Sequence, residues 1–204
     1  MDGGSSRLAG ILLTGSASRR LGTDKATLVV DGEPLAARQA RLLGQVCEPC
    51  VEVGPGASGL RAVRERPAGA GPLAAVAAGA EALRRGGHRG GALAVAVDLP
   101  RLTPDLLRFL AGFPGDASVI PFVGGRAQPL CARYSRGALD VAERLASAGE
   151  HAMGALLGSL DDVQWAGPRM WGSVASPEAF ADVDTPDDAE RLGLRFGGPG
   201  MVEQ

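Results

Sequence analysis

The sequence predicts an α/β fold in which helices cover both faces of a largely parallel sheet. Two nearly pure apolar runs, residues 8–13 and 92–97, have the length and composition of strands buried on both faces. Segments with helical spacing of apolar residues alternate with these and other short apolar runs. That alternation is typical of a three-layer α/β/α sandwich. We expect one domain over residues 8–194, with flexible termini at residues 1–7 and 195–204.

The other elements before residue 92 follow from turn residues and apolar spacing. Asp31-Gly32 is a tight-turn dipeptide, and Pro34 and Pro72 each suit the first turn of a helix. The predicted elements are a strand at 26–30, a helix at 34–46, strands at 51–53 and 60–65, and a helix at 72–85.

After residue 97 the same signals continue. Thr103 is a good N-cap for a helix, Gly124-Gly125 separates two arms of a hairpin, and Thr185 caps the last helix. The predicted elements are a helix at 104–111, strands at 117–123 and 127–134, helices at 136–146 and 151–157, a strand at 176–183, and a helix at 186–192.

Composition restricts the class of protein. Of the 204 residues, 45% are hydrophobic but only 4% are aromatic, so aliphatic side chains and alanine must form the core. The formal net charge of −2 gives no bulk attraction to nucleic acid or to an anionic membrane. The sequence has neither an 18-residue apolar stretch nor a signal peptide pattern. We therefore expect a cytoplasmic protein that binds neither nucleic acid nor membrane.

Two of the three cysteines form a C-x-x-C motif, Cys47 and Cys50. Such a pair can be a redox centre or half of a zinc site, but no second C-x-x-C or histidine pair accompanies it. The sequence favours small apolar residues between a helix and the next strand.

The loop after the first strand has the chemistry of a phosphate site. Glycine can adopt positive φ at little cost, as Gly15 and Gly22 could here, and successive N–H groups in such a turn form a nest for anions. Arg19, Arg20 and Lys25 supply positive charge, and Lys25 is the only lysine in the chain. The loop is neither a Walker A motif nor a dinucleotide fingerprint. From composition alone, an ordinary solvated loop remains the alternative.

The stretch LTGSASRRLGTDK, residues 13–25, resembles the signature L-[AT]-G-G-x-S-x-R-M-G-x-D-K of MobA-like nucleotidyltransferases. That family includes molybdenum cofactor guanylyltransferase. Ser16 stands at the usual second glycine, and Leu21 replaces methionine. Further segments that resemble the family follow in its order, and they extend the resemblance over residues 8–192: DGEPL at 31–35, ERPAGAGPLAA at 65–75, VDLP at 97–100, RAQPLCARY at 126–134 and FADVDTPDD at 180–188.

The resemblance implies a Rossmann-like fold of the nucleotide-diphospho-sugar transferase type. It also implies an enzyme that transfers GMP from GTP to a phosphorylated acceptor such as molybdopterin, with Mg²⁺ as cofactor and pyrophosphate as product. Transient contact with cofactor-receiving proteins is also expected.

The site residues are carried over by their positions in these segments. Arg20, Lys25 and Asp98 are the expected catalytic residues, and Asp98 and Asp184 the expected Mg²⁺ ligands. A carboxylate at a strand end beside a triphosphate loop also suits Mg²⁺ on chemical grounds. Gln128, Asp182 and Asp184 are expected on the acceptor side. The expected nucleotide-binding residues are Leu13, Thr14, Gly15, Ser16, Ala17, Ser18, Arg20, Lys25, Gly54, Glu65, Gly71, Pro72, Leu73 and Asp98.

Several departures from the family pattern leave alternatives open. Asp182 and Asp184 replace two asparagines, His151 follows Gly149-Glu150 where an arginine is usual, and Gly54 stands near the place of an asparagine. Ser16, Glu65 and Ala75 also differ from the usual residues. One alternative is transfer of a cytidylyl or other nucleotidyl group to a different phosphorylated acceptor. The other is a non-catalytic nucleotide-binding protein.

Overall fold

In the computed structural model, which describes residues 8–15 and 25–196, the strands form two sheets. In chain order the strands are β1 (Ala9–Leu13), β2 (Leu28–Val30), β3 (Glu33–Pro34), β4 (Cys50–Val53), β5 (Arg61–Val63), β6 (Ala92–Ala96), β7 (Ser118–Val123), β8 (Arg126–Ala127), β9 (Cys131–Tyr134), β10 (Val163–Ala166) and β11 (Arg195–Phe196). The main sheet has the order β10-β7-β9-β6-β1-β4-β5, with β8 paired to β7. Strands β11, β2 and β3 form a small second sheet.

The main sheet is mostly parallel, as predicted. All five residues of β1 are buried, and Ile11 lies in parallel register with Val51 of β4 and Ala94 of β6. Among the strands of this sheet, β9 runs antiparallel to β6 and β7, and β8 runs antiparallel to β7. An apolar strand at the centre of a parallel sheet must be covered on both faces, and helices provide that cover.

Helices pack on both faces of this sheet. They are α1 (Leu35–Gly44), α2 (Pro72–Arg85), α3 (Pro104–Ala111), α4 (Arg136–Ser147), α5 (Met153–Gly158), α6 (Pro168–Trp171) and α7 (Pro186–Arg191). Because side chains alternate across a strand, Ile11 packs in the core with α2, α4 and α5, whereas Leu12 packs in a second core with α1, α3 and α6. Gly79 lets α2 approach β1, since a Cβ there would lie 2.5 Å from Cγ2 of Ile11.

Both predicted threonine caps are confirmed. The hydroxyl of Thr103 accepts a hydrogen bond from the N–H of Leu106 at 3.3 Å. Thr185 begins α7 with a capping box, in which its hydroxyl accepts from the N–H of Asp188 and the Asp188 carboxylate accepts from the N–H of Thr185. Each cap satisfies N–H groups that have no partner inside the helix.

The predicted hairpin after α3 needs a correction. Strand β7 turns at Gly124-Gly125 into β8, but β8 ends at Ala127, and the chain then enters a separate strand, β9, between β7 and β6. A turn at Gln128, whose carbonyl accepts from the N–H of Cys131 at 3.1 Å, separates β8 from β9.

The predicted strand at residues 176–183 is wrong. Residues Pro177–Phe180 form a 3₁₀ helix, because Pro177 has no N–H for a ladder and Phe180 packs edge-on against Trp171 at 5.2 Å. The sheet instead ends with β10, which pairs in parallel with β7 and which the sequence analysis does not predict.

One part of the predicted C-terminal flexible segment is ordered. Gly193 has φ of +70° and turns the chain after α7, so Arg195–Phe196 run antiparallel to β2 as strand β11. The remaining residues of both predicted flexible termini, 1–7 and 197–204, lie outside the described residues. None of the helices within the described ranges is long and apolar enough to cross a membrane.

The C-x-x-C pair is structural. Cys47 is buried, Cys50 is half-buried, and both are free thiols. Burial raises the pKa of Cys47 to about 12 and that of Cys50 to about 11. The reactive thiolate is therefore scarce at neutral pH, which agrees with the apolar interpretation.

Candidate functional site

The candidate site lies where three adjacent parallel strands end. Leu13 is in register with Val53 of β4 and Ala96 of β6, so β1, β4 and β6 present their carboxyl ends at one edge of the sheet. In open α/β sheets this edge is where ligands bind. The residues that follow these strands are Thr14 and Gly15 after β1, Gly54 after β4, and Asp98 shortly after β6.

Lys25 joins two of the predicted metal ligands. Its side chain is buried, and Nζ lies 2.8 Å from Oδ2 of Asp98 and 2.5 Å from Oδ1 of Asp184. Burial lowers the pKa of this ammonium, but Asp98 and Asp184 outweigh burial and raise the pKa above its ordinary value. Residues separated by 73 and 159 positions in the sequence are thus held together by one charged side chain.

A third carboxylate belongs to this acidic cluster. Asp182 is exposed, and its pKa is raised by desolvation and by the negative charges of Asp184 and Asp98. The N–H of Val183 donates to the carbonyl of Asp98 at 3.1 Å, which fixes this segment beside the end of β6. Within the described ranges, three carboxylates therefore share the single ammonium of Lys25, and the cluster carries excess negative charge.

The donor set fits a cation that arrives with phosphate. The ammonium of Lys25 stands in for such a cation, because both Asp98 and Asp184 reach it with one oxygen. Mg²⁺ in nucleotide enzymes is held by one or two carboxylates together with substrate phosphates and water. Among the residues that the structure describes, no group of three or more His, Cys, Asp or Glu side chains could hold a metal ion. Two protein carboxylates are enough for a metal that also binds the phosphates of a nucleotide, but too few for a metal held by protein ligands alone.

The other side of the site has small residues around one carboxylate. A methyl group on Gly15 would lie 3.7 Å from Cα of Gly54 and 3.9 Å from Oε1 of Glu65. Glu65 Oε1 accepts a hydrogen bond from the N–H of Gly69 at 2.9 Å. Gly71 has φ of +96°, and a Cβ there would lie 3.3 Å from the carbonyl oxygen of His151. At these positions the glycines bring backbone rather than side chains to this side of the site, and Glu65 adds one carboxylate next to it.

Glu52 is a charged residue of this region that the sequence analysis missed. It is fully buried in β4, and Oε1 accepts from the hydroxyl of Thr14 at 2.5 Å. Desolvation favours protonation of Glu52, but hydrogen bonds from Ser58, Thr14 and Ala57 overcome it and lower the pKa to about 2. The available signal was a glutamate between two valines in an apolar strand, followed by a loop of small residues.

The other predicted nucleotide-binding residues take different places. Leu13 and Leu73 have side chains buried in the core, so only their backbone atoms are available to a ligand. Pro72 begins α2, directly behind Gly71. Ser16, Ala17, Ser18 and Arg20 lie outside the described residues.

The predicted acceptor-side residues lie on the same edge of the sheet. Gln128 is half-buried, and its N–H donates to the carbonyl of Pro121 in β7 at 2.8 Å. Two residues later, the carbonyl of Leu130 accepts from the N–H of Ala96 at the end of β6. His151 is exposed, and its N–H donates to the side chain of Glu150 at 2.7 Å.

A separate cleft of about 590 Å³ lies among β5, α2 and α4. None of its lining residues is a candidate site residue, and its two carboxylates already pair with arginines: Glu81 with Arg85 at 2.6 Å and Glu143 with Arg84 at 2.8 Å. Each carboxylate of this cleft therefore has its own arginine, whereas Asp98 and Asp184 share one ammonium in the strand-end cluster.

The fold and the strand-end cluster define an α/β protein whose candidate site lies at the carboxyl edge of a mostly parallel sheet, where such folds bind ligands. The family model of the MobA-like NTP transferase domain matches residues 10–163, and the chain belongs to this family.

Named relatives agree with this assignment, and a solved structure shares the fold. A protein named "Probable molybdenum cofactor guanylyltransferase" from Mycobacterium marinum is 36% identical over 76% of this chain and 81% of its own length. A protein of the same name from Chloroflexus aggregans is 34% identical over 93% of this chain and 95% of its own length. The structure of molybdopterin-guanine dinucleotide biosynthesis protein A from Archaeoglobus fulgidus shares the fold, with a TM-score of 0.70 at 23% identity over 90% of this chain and 96% of that one.

Proposed function

We propose that this chain transfers GMP from GTP to the phosphate of a molybdopterin acceptor and releases pyrophosphate. The observation that carries the proposal is the contact of Lys25 with both Asp98 and Asp184 at the carboxyl ends of the strands. This cluster supplies one cation for phosphates and two oxygen ligands for a metal. The names of the relatives supply the guanylyl group and the acceptor. We also propose that residues 8–194 act as one catalytic unit.

The proposed reaction needs positioning more than it needs a nucleophilic side chain. An oxygen of the acceptor phosphate attacks the α-phosphorus of the nucleotide. A new P–O bond forms as the bond from the α-phosphorus to its bridging oxygen breaks, and pyrophosphate leaves with the electron pair. Lys25 donates to the leaving phosphates, and the backbone N–H groups of the loop after β1, together with Arg20, bind the triphosphate.

Mg²⁺ is the proposed cofactor, and Asp98 and Asp184 would hold it. When bound, it supplies charge stabilisation on the phosphoryl oxygens as a Lewis acid. The excess of carboxylates around Lys25 supports this proposal, because a triphosphate alone would be repelled by the cluster. Asp182, the most exposed of the three, is proposed to contact the acceptor together with Gln128.

We predict at least about a tenfold preference for GTP over CTP in kcat/KM. Neither Gly54 nor Gly71 offers a polar side chain, so backbone groups must recognise the base, and guanine presents the 2-amino group and the adjacent N1–H to them as donors. A buried polar group left unpaired by the wrong base costs about 1–3 kcal/mol, which corresponds to a tenfold effect or more. Pyrophosphate release measured with each nucleotide and Mg²⁺ tests this preference. Equal kcat/KM values for GTP and CTP would contradict the assignment of guanylyl transfer.

Two measurements together separate catalysis from nucleotide binding alone. Isothermal titration against GTP, CTP and ATP with Mg²⁺ identifies the bound nucleotide, and pyrophosphate release in the presence of molybdopterin shows turnover. Tight nucleotide binding without pyrophosphate release would favour a non-catalytic nucleotide-binding protein. Pyrophosphate release with another phosphorylated acceptor, but not with molybdopterin, would show that molybdopterin is not the acceptor.

A further inference from the structure

Glu52 lies beside the candidate nucleotide site, yet it has no part in the proposed reaction. Its carboxylate is fully buried and accepts five hydrogen bonds, so neither oxygen is free for a ligand. The donors are the hydroxyl of Thr14 at 2.5 Å, the N–H groups of Gly56 at 2.8 Å, Ala57 at 2.9 Å and Ser58 at 2.8 Å, and the hydroxyl of Ser58 at 2.5 Å.

These contacts set the polarity of the loop that follows β4. Three successive N–H groups of the loop, those of residues 56–58, face the Glu52 carboxylate. In the part of the chain that the structure describes, no donor hydrogen-bonds to the carbonyl groups of residues 55–57. Over residues 55–57, the backbone groups that remain for a ligand are therefore carbonyl acceptors.

The hydrogen bond between Thr14 and Glu52 also explains why residue 54 is a glycine. The Thr14 hydroxyl, held by Glu52, occupies the place where a Cβ of residue 54 would project. A Cβ there would also lie 3.0 Å from the backbone nitrogen of Gly15. A ligand above Gly54 thus meets backbone, and the position of that backbone depends on the Glu52 hydrogen bonds.

We propose that Glu52 is a positioning residue that sets the nucleobase preference. By binding the loop's N–H groups it leaves the loop with carbonyl acceptors, which match a base edge with two adjacent donors, as guanine has, better than a base with one. This inference rests on the proposed function only in placing the base at the β4 loop. Glu52 acts through the loop and Thr14 and does not touch the reacting atoms.

The test compares Glu52→Gln and Ser58→Ala with the wild-type chain. Glu52→Gln keeps the size of the side chain but replaces an acceptor oxygen with an NH₂ group, which cannot accept from the loop. Ser58→Ala removes one hydrogen-bond donor and leaves the Glu52 carboxylate in place. It therefore tests the role of the Glu52 hydrogen bonds even if Glu52→Gln fails to fold. Glu33→Gln, in an exposed ion pair with Arg41, is the matched control. The readout is the ratio of GTP to CTP dissociation constants by isothermal titration with Mg²⁺, because general destabilisation would not move that ratio.

We expect the affinity ratio to fall by about tenfold in Glu52→Gln, by less in Ser58→Ala, and not at all in Glu33→Gln. In turnover, KM for GTP should rise more than kcat falls. A wild-type ratio in both Glu52→Gln and Ser58→Ala overturns the inference, as does equal affinity of the wild-type chain for the two nucleotides. Preferential GTP binding that these variants weaken, without pyrophosphate release, would instead remove the proposed function and leave the inference intact.

Discussion

Asp98→Asn should lower kcat for nucleotidyl transfer by on the order of 10²–10³ while the protein stays folded. The amide keeps the shape of the side chain but loses the charge that attracts Lys25 and, in our proposal, Mg²⁺. Asp98 follows the buried strand β6 at the edge where β1 and β4 also end. The measurement is pyrophosphate release at saturating GTP and Mg²⁺, with thermal unfolding of the same sample as the check on folding.

Two further variants sharpen this comparison. Asp184→Asn should cause a smaller loss, because the side chain of Asp184 is 49% exposed and that of Asp98 only 18%, so solvent screens Asp184 more. Asp140→Asn, in an exposed ion pair with Arg136 on α4, should leave turnover unchanged. Mg²⁺-dependent turnover at the wild-type rate in Asp98→Asn would show that Asp98 does not hold the metal.

The core elements of the fold could be predicted because their signals are local. The apolar runs of β1 and β6 and the caps at Thr103 and Thr185 each depend on a few neighbouring residues, and the structure confirms all four. A mostly parallel sheet with helices on both faces follows from the alternation of such elements.

The missed elements depend on contacts distant in sequence. Strand β10 has four residues, three of them only partly buried or exposed, so its sequence has no clear apolar run. It is a strand because β7 offers an open edge for pairing. The segment at residues 176–183 has an apolar pattern, but Phe180 finds its partner in Trp171, and a 3₁₀ turn places it there. The local sequence indicates neither the pairing of β10 with β7 nor the packing of Phe180 against Trp171.

The site was predictable in its parts but not in its connections. Asp98 and Lys25 could be assigned to the same edge, because strands in a parallel sheet share their carboxyl ends. That Lys25 pairs with both Asp98 and Asp184 depends on how the chain after residue 180 returns to β6, through the hydrogen bond from Val183 to Asp98. Glu52 was missed because a buried charge in a strand is explained only by the five donors that surround it.

The resting contacts of Lys25 have a consequence for nucleotide binding. The ammonium neutralises the same two carboxylates that are proposed to hold Mg²⁺, so the two cations would compete for Asp98 and Asp184. If Asp98 and Asp184 held the metal of a bound nucleotide, the ammonium of Lys25 would be released from them and could donate to the phosphates.

Lys25→Ala should therefore lower kcat/KM by on the order of 10²–10³, the effect of losing one charged donor from a preorganised site. A lysine that only solvated a surface loop would change stability by no more than about 0.5 kcal/mol and leave catalysis intact. Lys25→Arg should not restore activity, because the planar guanidinium does not fit a buried position built for a compact ammonium. Pyrophosphate release across a range of GTP concentrations gives kcat and KM for each variant.

Mg²⁺ without nucleotide provides an independent measurement on the same variant. In Lys25→Ala the carboxylates of Asp98 and Asp184 lose their ammonium, so free Mg²⁺ should stabilise this variant more than the wild-type chain. A hundredfold excess of ligand over its Kd gives about 2.7 kcal/mol, and each kcal/mol raises Tm by about 2–4 °C for a chain of this size. The pKa of Lys25 is raised, so its ion pairs are intact below the ordinary value of 10.5 and are lost only as pH rises through the raised pKa; the comparison therefore holds across neutral pH. An active Lys25→Ala variant with no greater Mg²⁺ response than the wild-type chain would mean that Lys25 only orders the loop.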